Sequence, residues 1–542
     1  MPNAPQTRRQ DAAGTSKIVD TRQIVNLFAF PALYDLGNIL GPHLRQPGAR
    51  GRKPSYGSDA LLAATSVARI AGSTSEGLKL LREPAVWDEC RATYATMTHG
   101  RVLPATAPNR EQVQYFRDRI SRTPQAMAAL QNGFRKVALG QARRHGNLLP
   151  GSAPDWVTPD ERNTVYGDGV VLAPFSDVTT VEHPLTGKPV AVGSRAKSAA
   201  SARIQRTYSD LSEDFKEARG VNFVALHTWT GAGRVTLGTG VALRAEQWAG
   251  LELIESLAAL AGDGVHNVIW DRAIQGWHLD HLMAHHRIQV FGKSVGRRER
   301  APHVETTDEK DDDRVLRLAV EYGAAATPAV AQILRRDLLS QMFYSGEPQP
   351  VGTSLYKTER GFDVVRSQHH RYGPVTHPTG RGTCEHELVV DDGALFTLDY
   401  HPLDGYPVKV SHVPCVTSTP YQRPDGRWGA YRTFEVPCSE GDFTFQRDWE
   451  PDGTRYHPDS KDGDRSPSDR IGLALRPLSR SDGHRFSDFF SRRNDAESFN
   501  NWFQNTLPHY GRATSQHLAG QELDFLTAAL VNNSITWSNR QR

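Results

Sequence analysis

The chain has 542 residues, enough for three or four domains of ordinary size. Apolar residues make up 38% and charged residues 23%, which excludes wholesale disorder. The apolar runs end well before the ~20 residues of a membrane span, and residues 1–10 lack the apolar segment of a secretion signal. Four scattered cysteines without a CxxC pair do not make a disulfide framework. These features predict a cytoplasmic protein that is not inserted in a membrane.

The net charge of +3 hides an uneven distribution. Residues 1–150 contain 21 Lys and Arg against 10 Asp and Glu, a net charge of +11, whereas the remainder carries −8. A basic front joined to an acidic body is typical of a phosphate-binding module attached to a site built on carboxylates. Within this front, residues 1–50 are poorly patterned and predict a flexible basic arm, and residues 51–150 predict a helical domain.

Helix signals divide the basic front. One helix is predicted to begin at Ser58, which can cap it, and to stop at Gly72, and a second is predicted to begin after Thr74. Asn109 is predicted to cap a third helix, with Gln112 completing a capping box. Short helices with basic faces fit a helix-turn-helix-like unit, and they fit a plain helical bundle with a solvated basic surface equally well.

After a Gly/Pro/Ser linker at 145–160, the hydrophobic period changes. Apolar runs of strand length alternate with helical segments, which predicts a mixed α/β sheet over residues 160–295. The predicted strands are 163–172, 221–229, 234–243, 266–270 and 287–291, and the predicted helices are 245–261 and 278–286.

The segment 296–485 interrupts this pattern. It contains a charged loop at 297–314, a helix beginning at Thr327-Pro328, β-rich sequence at 385–450 with DDG and PDG turns, and a polar, mobile stretch at 451–486. The chain closes with residues 486–542, where helices are predicted at 487–507 and 520–534.

Three acidic residues are distinguished by their surroundings. Asp168 and Asp271 each follow an apolar strand, and Glu497 lies in a predicted helix among cations and amides. Carboxylates at neighbouring strand ends can converge, and convergent carboxylates repel unless cations neutralise them. Oxygen ligands with open positions suit Mg²⁺, and two such ions promote phosphodiester displacement. The trio therefore suggests chemistry on nucleic-acid strands.

The sequence around Glu497, FFSRRNDAESFNNWFQ, resembles the signature of DDE transposases from bacterial insertion sequences. That signature reads Tyr, two residues, Arg, three residues, the catalytic Glu, six residues, Lys. Arg493 and Glu497 match it, whereas Phe490 stands in place of Tyr and Gln504 in place of Lys. These two departures affect positions that contact the end phosphates in the family.

Four further stretches resemble the same family, in its order. VYGDG and VIWDRAIQGWHLDHLMAHHRIQVFGKS resemble the blocks around the two catalytic Asp residues, and RGRKPSYGSDALLAATSVARIAG and APNREQVQYFRDRI resemble its N-terminal region. The resemblance implies an α/β fold: an RNase H-like mixed-sheet core formed by 160–295 and 486–542, a β-rich insertion domain at 296–485 and an α-helical N-terminal DNA-binding domain.

The resemblance also implies a function. A DDE transposase cuts and joins DNA at insertion-sequence ends, with Asp168, Asp271 and Glu497 binding two Mg²⁺, for which Mn²⁺ can substitute. The implied partners are double-stranded DNA (terminal inverted repeats and target) and a second copy of the chain, as a homodimer on DNA associated with the nucleoid. The basic residues expected to contact DNA are Arg493, Arg50, Arg52, Lys53, Arg110 and Arg117.

Other interpretations stay open. The alternative function is that of a domesticated or inactive relative that only binds DNA. At the level of residues, Asp168-Gly169 is also a common turn pair, Asp495 is an alternative to Glu497, and Arg493 can simply pair with Glu497. Two zinc sites are conceivable. A hydrolase site would use His278, His281 and His285, and a structural site would use Cys384, His386, His412 and Cys415.

Overall fold

The computed structural model describes most of the chain, in two compact units. The described residues are 6–10, 16–44, 54–172, 179–182, 189–192, 203–208, 215–243, 245–271, 273–274, 276–292, 304–305, 349–358, 361–366, 369–380, 382–400, 407–451, 475–506, 515 and 517–540. One unit comprises residues 1–152, 161–265 and 492–542, and the other residues 153–160 and 266–491. This division differs from the predicted boundaries, because the N-terminal helices, the first strands of the predicted core and the C-terminal helices share one unit.

The described elements make a mixed α/β protein. The helices are α1 Arg22–Phe28, α2 Pro31–Leu44, α3 Ser58–Ala71, α4 Thr74–Leu81, α5 Pro84–Met97, α6 Arg110–Arg122, α7 Pro124–Arg144, α8 Glu246–Ala261, α9 Trp277–His286, α10 His484–Phe490, α11 Arg493–Thr506 and α12 Leu518–Arg540. The strands are β1 Gln6–Gln10, β2 Ser16–Asp20, β3 Thr164–Leu172, β4 Thr179–Glu182, β5 Pro189–Val192, β6 Arg203–Tyr208, β7 Phe215–Thr230, β8 Gly233–Ala242, β9 Asn267–Ile269, β10 Gln289–Phe291, β11 Val304–Glu305, β12 Gln349–Pro350, β13 Thr353–Thr358, β14 Gly361–Arg366, β15 His369–Thr379, β16 Gly382–Asp391, β17 Ala394–Tyr400, β18 Pro407–Val413, β19 Cys415–Gln422, β20 Trp428–Val436 and β21 Phe443–Trp449.

Residues 22–44 form two packed helices, which differs from the flexible arm predicted for residues 1–50. The side chains of Ile24, Leu27, Leu33 and Leu36 are fully buried. Their burial supplies the stabilisation that an isolated short helix lacks. Among the described helices none is by itself long and apolar enough to cross a bilayer, and α1 and α2 reach that composition only when joined across a 55° bend.

The predicted helix boundaries in the basic front are largely confirmed. Gly72 ends α3 in the left-handed conformation that glycine adopts easily. Ser73 caps α4, accepting a hydrogen bond from the amide of Glu76. The capping box of α6 is present in both directions, with Gln112 N donating to Asn109 Oδ1 at 2.8 Å and Asn109 N donating to Gln112 Oε1 at 2.9 Å. Ser58 is the first residue of α3 and does not cap it.

The C-terminal helix α12 joins the N-terminal helices to the first sheet. Asn533 receives a hydrogen bond from Thr236 N at 2.7 Å and donates one to Thr236 O at 2.8 Å, so it pairs with β8 as a neighbouring strand would. Asp524 is buried and forms ion pairs with two arginines. Its Oδ1 lies 2.7 Å from Arg117 Nη2 and 3.6 Å from Arg69 Nη2. Buried polar groups stay in place only when paired in this way.

The sheet of this unit is antiparallel around β7. β7 pairs with β3, β6 and β8, and the register places Asp168 opposite Ala225. α8 follows β8 and packs on it with an apolar face that includes Leu253 and Leu257. The predicted strands and helices over 163–261 are therefore confirmed, with β7 longer than predicted.

Among its described residues, the other unit contains a parallel pair and three antiparallel sheets, one of which is β11-β14-β13. β9 and β10 are parallel and are connected through α9. The larger sheet has the order β12-β18-β17-β16-β15, and a second has the order β19-β20-β21. Leu388 and Leu395 from the first and Phe434 and Val436 from the second share one buried core. The β-rich region predicted at 385–450 is confirmed and begins earlier in the chain.

In the second half of the chain, one predicted helix is found in two parts, and several other predictions fall on residues that the structure does not describe. The helix predicted over 487–507 is divided into α10 and α11, with Ser491 ending the first. The helix predicted from Thr327, the loop at 297–314 except residues 304–305, and most of the stretch 451–486 lie outside the described residues.

Candidate active site

Asp168 lies in the middle of β3 rather than at its end. Residues on both sides of it continue the ladder with β7, with Gly167 opposite Leu226 and Gly169 opposite Val224. The interpretation of Asp168-Gly169 as a turn pair is therefore wrong. Val165, Tyr166 and Val170 are buried, whereas Asp168 is only partly buried, so an acidic side chain stands in an otherwise apolar strand.

Helix α11 runs along this strand and supplies polar groups to it. Asn500 Nδ2 donates to Asp168 Oδ2 at 3.1 Å and lies 3.3 Å from Gly169 O. One turn later, Gln504 Nε2 lies 3.4 Å from Val171 O. Buried Phe499 and Phe503 fix the helix on the sheet. Because Glu497 lies three residues before Asn500, it shares the face of α11 that meets Asp168.

A further acid, which sequence reasoning missed, lies at the same place. Glu246 is in the first turn of α8, and Asn222 Nδ2 on β7 donates to its Oε2 at 3.2 Å. A Cβ at Gly169 would lie only 2.4 Å from that Oε2, so glycine is what allows the carboxylate to approach β3. A Glu in the first turn of a helix is common because its negative charge interacts favourably with the positive end of the helix dipole. The position of Glu246 in the sequence therefore gave no sign of a functional role.

The charges around Asp168 are poorly compensated. Burial raises the pKa of Asp168 to about 7, the carboxylate of Glu246 adds to the rise, and Glu497 contributes less. The guanidinium of Arg493 acts in the opposite direction. A carboxyl group that is half protonated near neutral pH gains strongly from a bound cation, since a cation favours its ionised form.

Arg493 forms an ion pair with Glu497. Its Nη2 lies 2.6 Å from Glu497 Oε1, one turn along α11, and its side chain is 16% exposed whereas that of Glu497 is 46% exposed. The ion pair foreseen between these two residues is present. Glu497 therefore remains half exposed although it is paired with Arg493.

Asp495, the rival of Glu497, lies in a different environment. Burial raises the pKa of Asp495, against the opposing charges of Arg492 and Arg234. Arg234 donates to the backbone oxygen of Asp495 and to Ser498 Oγ. Successive positions on a helix differ by about 100°, so side chains two residues apart point in nearly opposite directions. The geometry therefore favours Glu497 over Asp495 as the partner of Asp168.

Asp271 belongs to the second unit. It follows β9 after Trp270, whose side chain is fully buried and whose amide donates to Phe291 O at 3.1 Å. Asp271 itself is partly buried. The predicted strand end is confirmed, and the assignment of Asp271 as a metal ligand stays a prediction.

The basic residues predicted to contact DNA are placed differently from one another. Arg110 is exposed at the start of α6. Arg117, on the same helix, is 7% exposed, and its guanidinium is held by Asp524 and by Ser515 Oγ at 2.8 Å. Arg117 therefore differs from the prediction, since its charge is used inside the helical core. Arg50, Arg52 and Lys53 lie outside the described residues.

The departures from the transposase signature have structural roles. The ring of Phe490 is buried and stacked on Phe486 with centroids 5.2 Å apart. Gln504 contacts the backbone of β3. In the described part of the chain, the ligating atoms of His278, His281 and His285 do not all lie within 4.8 Å of one another, although the rings of His281 and His285 have centroids 4.6 Å apart. The trio predicted for a zinc hydrolase is therefore not gathered as a set of three ligands.

No protein-family model matches the chain, and no curated protein matches it at a significant level. The functional case therefore depends on the positions, contacts and charges of Asp168, Glu246 and Glu497.

Proposed function

We propose that the chain is a metal-dependent DNA strand-transfer enzyme of the DDE transposase type. One observation carries the proposal: helix α11 packs on β3 through Asn500, which donates to Asp168, and burial, Glu246 and Glu497, which is 329 positions away in sequence, raise the pKa of Asp168 to about 7. Such a cluster of acids is unfavourable without a cation. It is the arrangement that phosphodiester chemistry with Mg²⁺ uses.

The residues present fit a hard divalent cation. Asp168, Glu246 and Glu497 would supply carboxylate oxygens, and the amide oxygens of Asn222 and Asn500 are buried without a hydrogen-bond partner among the described residues. Carboxylate and amide oxygens are the ligands that Mg²⁺ accepts, and Mn²⁺ accepts them too. Bound there, Mg²⁺ would activate a water or a 3′-hydroxyl and stabilise the leaving oxygen.

The residues of the chain orient and neutralise this site. Asn500 donates to Asp168 Oδ2, which holds the carboxylate in place. Gly169 leaves the space that Glu246 needs. Arg493 neutralises Glu497 in the absence of substrate, and we propose that its guanidinium turns to a DNA phosphate when a metal takes its place on Glu497.

The order of elements supports an RNase H-like core. Antiparallel strands β3, β7 and β8 are followed along the chain by α8, by the parallel strands β9 and β10 with α9 between them, and later by α11 with the proposed catalytic Glu497. We propose Asp271 as the third catalytic acid on the resemblance alone. The exposed Arg110 and the +11 charge of residues 1–150 support binding of terminal inverted repeats, by a homodimer that pairs two DNA ends.

The test is strand cleavage by the purified full chain. The substrate is duplex DNA covering both flanks of the gene, end-labelled, incubated with Mg²⁺ or Mn²⁺ or with EDTA. We expect metal-dependent nicks at discrete positions at the two flanks, and joining of the new 3′ ends to a target plasmid. Asp168→Ala, Asp271→Ala and Glu497→Gln are expected to lower cleavage by at least about 1,000-fold, because each removes an oxygen that acts in the transition state.

Asp495→Asn is the matched control. It changes an acid on the same helix, two residues from Glu497, and is expected to leave cleavage within about threefold of wild type. Undiminished cleavage by Asp168→Ala or Asp271→Ala would refute the assignment. Specific binding of the flanks without cleavage in either metal would instead identify the inactive, DNA-binding relative.

A further inference from the structure

Three side chains of the β-rich unit meet in a cluster that is separate from the acidic site. Cys384 and His386 lie on β16, and Cys438 follows β20. Their ligating atoms all lie within 4.8 Å of one another, with 3.3 Å between Cys384 Sγ and His386 Nε2 and 3.9 Å between the two sulfurs. All three side chains are partly buried.

The local structure explains why these residues meet. Residues 384, 386, 388 and 390 share one face of β16, and the last two of them, Leu388 and Val390, belong to the core between the two antiparallel sheets. Cys384 and His386 therefore continue the core-facing side towards the end of the strand. Cys438 lies in the connection from β20 to β21, where its amide donates to Asp442 Oδ1 at 3.1 Å.

We propose that Cys384, His386 and Cys438 bind a zinc ion. Tetrahedral zinc with Zn–S of about 2.3 Å and Zn–N of about 2.05 Å requires about 3.8 Å between two sulfurs and about 3.6 Å between sulfur and nitrogen. The observed 3.9 Å and 3.3 Å agree with both separations. A disulfide requires sulfurs about 2.05 Å apart, so the two thiols are spaced for a shared metal rather than for a bond to each other.

Neighbouring groups contact two of the three proposed ligands. The amide of Glu440 is 3.5 Å from Cys438 Sγ and donates to it. The ring of Phe443, on β21, contacts that of His386, with centroids 5.5 Å apart. It also stacks on the ring of His377, on β15 next to β16, with centroids 4.4 Å apart. Outer contacts of this kind hold a ligating ring in orientation.

The ion would connect the two sheets of the β-rich unit. Cys384 and His386 belong to the five-stranded sheet, whereas Cys438 lies in the connection between β20 and β21 of another sheet. In the described part of the chain, no fourth His, Cys, Asp or Glu joins the group. The set differs from the zinc ligands considered from the sequence: Cys438 replaces His412 and Cys415, and Cys415 Sγ bonds to Thr417 O instead.

The test is metal binding by the full chain, which does not depend on DNA cleavage. Reduced, metal-free protein is titrated with Co²⁺ while the thiolate-to-cobalt and ligand-field absorption is followed, and Zn²⁺ is then added in competition. We expect one equivalent of Co²⁺ with two-thiolate absorption, displaced by one equivalent of Zn²⁺. Cys384→Ser and Cys438→Ser are each expected to weaken binding by at least about 100-fold, since loss of an outer contact alone costs 10- to 100-fold.

Two controls separate this site from the other thiols. Cys415→Ser changes a buried cysteine of the same unit, and Cys90→Ser changes one in the helical unit; both are expected to keep wild-type stoichiometry and absorption. His386→Ala is expected to keep the thiolate bands and weaken the affinity. Absence of thiolate bands in the reduced wild type, an equal loss on Cys415→Ser, or a Cys384–Cys438 disulfide in freshly isolated protein would overturn the proposal.

Discussion

Replacement of Asp168 by Asn is expected to stabilise the metal-free protein at pH 8. Asn has nearly the same shape, and its amide oxygen can still accept the hydrogen bond from Asn500. What the substitution removes is a charge that burial and Glu246 oppose. A residue retained at such a cost in stability is characteristic of a site shaped for a ligand rather than for folding.

The magnitude follows from the pKa. A rise from the ordinary 3.8 to about 7 corresponds to about 4 kcal/mol of unfavourable interaction in the ionised form. Asp168 is partly exposed, so solvent screening brings the expected gain to about 1–3 kcal/mol. Since the folded pKa lies above the unfolded one, the folded state binds more protons between pH 4 and 7, and its stability falls as the pH rises through this window. Below pH 4 both states are protonated and the gain disappears.

The assay is urea denaturation in EDTA at pH 4 and pH 8, repeated at pH 8 with Mg²⁺. We expect Asp168→Asn to exceed wild type at pH 8 only, and Mg²⁺ to stabilise wild type by about 2.7 kcal/mol at a hundredfold excess over its Kd while leaving the variant unchanged. Asp524→Asn is the contrasting control: its carboxylate is paired with Arg117, so its neutralisation is expected to cost about 3–5 kcal/mol. A variant at Asp168 that is less stable than wild type at pH 8 without metal would refute the reasoning.

Three further substitutions test single contacts. Gly169→Ala places a Cβ 2.4 Å from Glu246 Oε2, so the carboxylate must move; isothermal titration should show Mg²⁺ affinity lowered at least about tenfold, and unchanged affinity would contradict the contact. Arg493→Gln removes the cation that competes for Glu497, so calorimetry should show tighter Mg²⁺ binding while the cleavage assay shows a loss; a parallel fall in both would disprove the competition. Asn109→Ala removes the cap of α6 and should lower the free energy of unfolding by about 1 kcal/mol in urea titrations, with no effect on Mg²⁺ affinity.

Local signals in the sequence predicted local structure well. The pair Asn109 and Gln112 predicted a capping box because both hydrogen bonds lie within one turn, and Gly72 predicted a helix end because glycine alone adopts the left-handed conformation cheaply. The strand around Asp168 was equally evident from its apolar neighbours. The mid-strand position of Asp168 was less evident, because the pair Asp-Gly usually indicates a turn. Here both residues pair with β7 and continue the strand.

Features that depend on contacts distant in sequence were not predictable. Arg117 looks like a surface cation on an amphipathic helix, and only α12, some 400 residues later, brings the Asp524 that buries it. Cys438 carries no ligand spacing to Cys384, because the two sheets rather than the chain bring them together. In the sequence, Glu246 looks like an ordinary acidic residue in the first turn of a helix. Only the structure shows that its carboxylate lies against Gly169 of β3.

The geometry of helix α11 distinguishes Glu497, which we propose as catalytic, from its neighbour Asp495. The face that meets β3 carries Glu497 and Asn500, and the phenylalanine core beside them fixes that face relative to Asp168. The opposite direction carries Asp495, next to Arg234 and Arg492, whose charges oppose the rise in its pKa. Asp495 thus has two cations nearby, whereas the acids around Asp168 raise its pKa more than Arg493 lowers it. This difference in neutralisation between the two faces, rather than the presence of acids as such, is the reason we propose the acids at β3, and not Asp495, as the metal site.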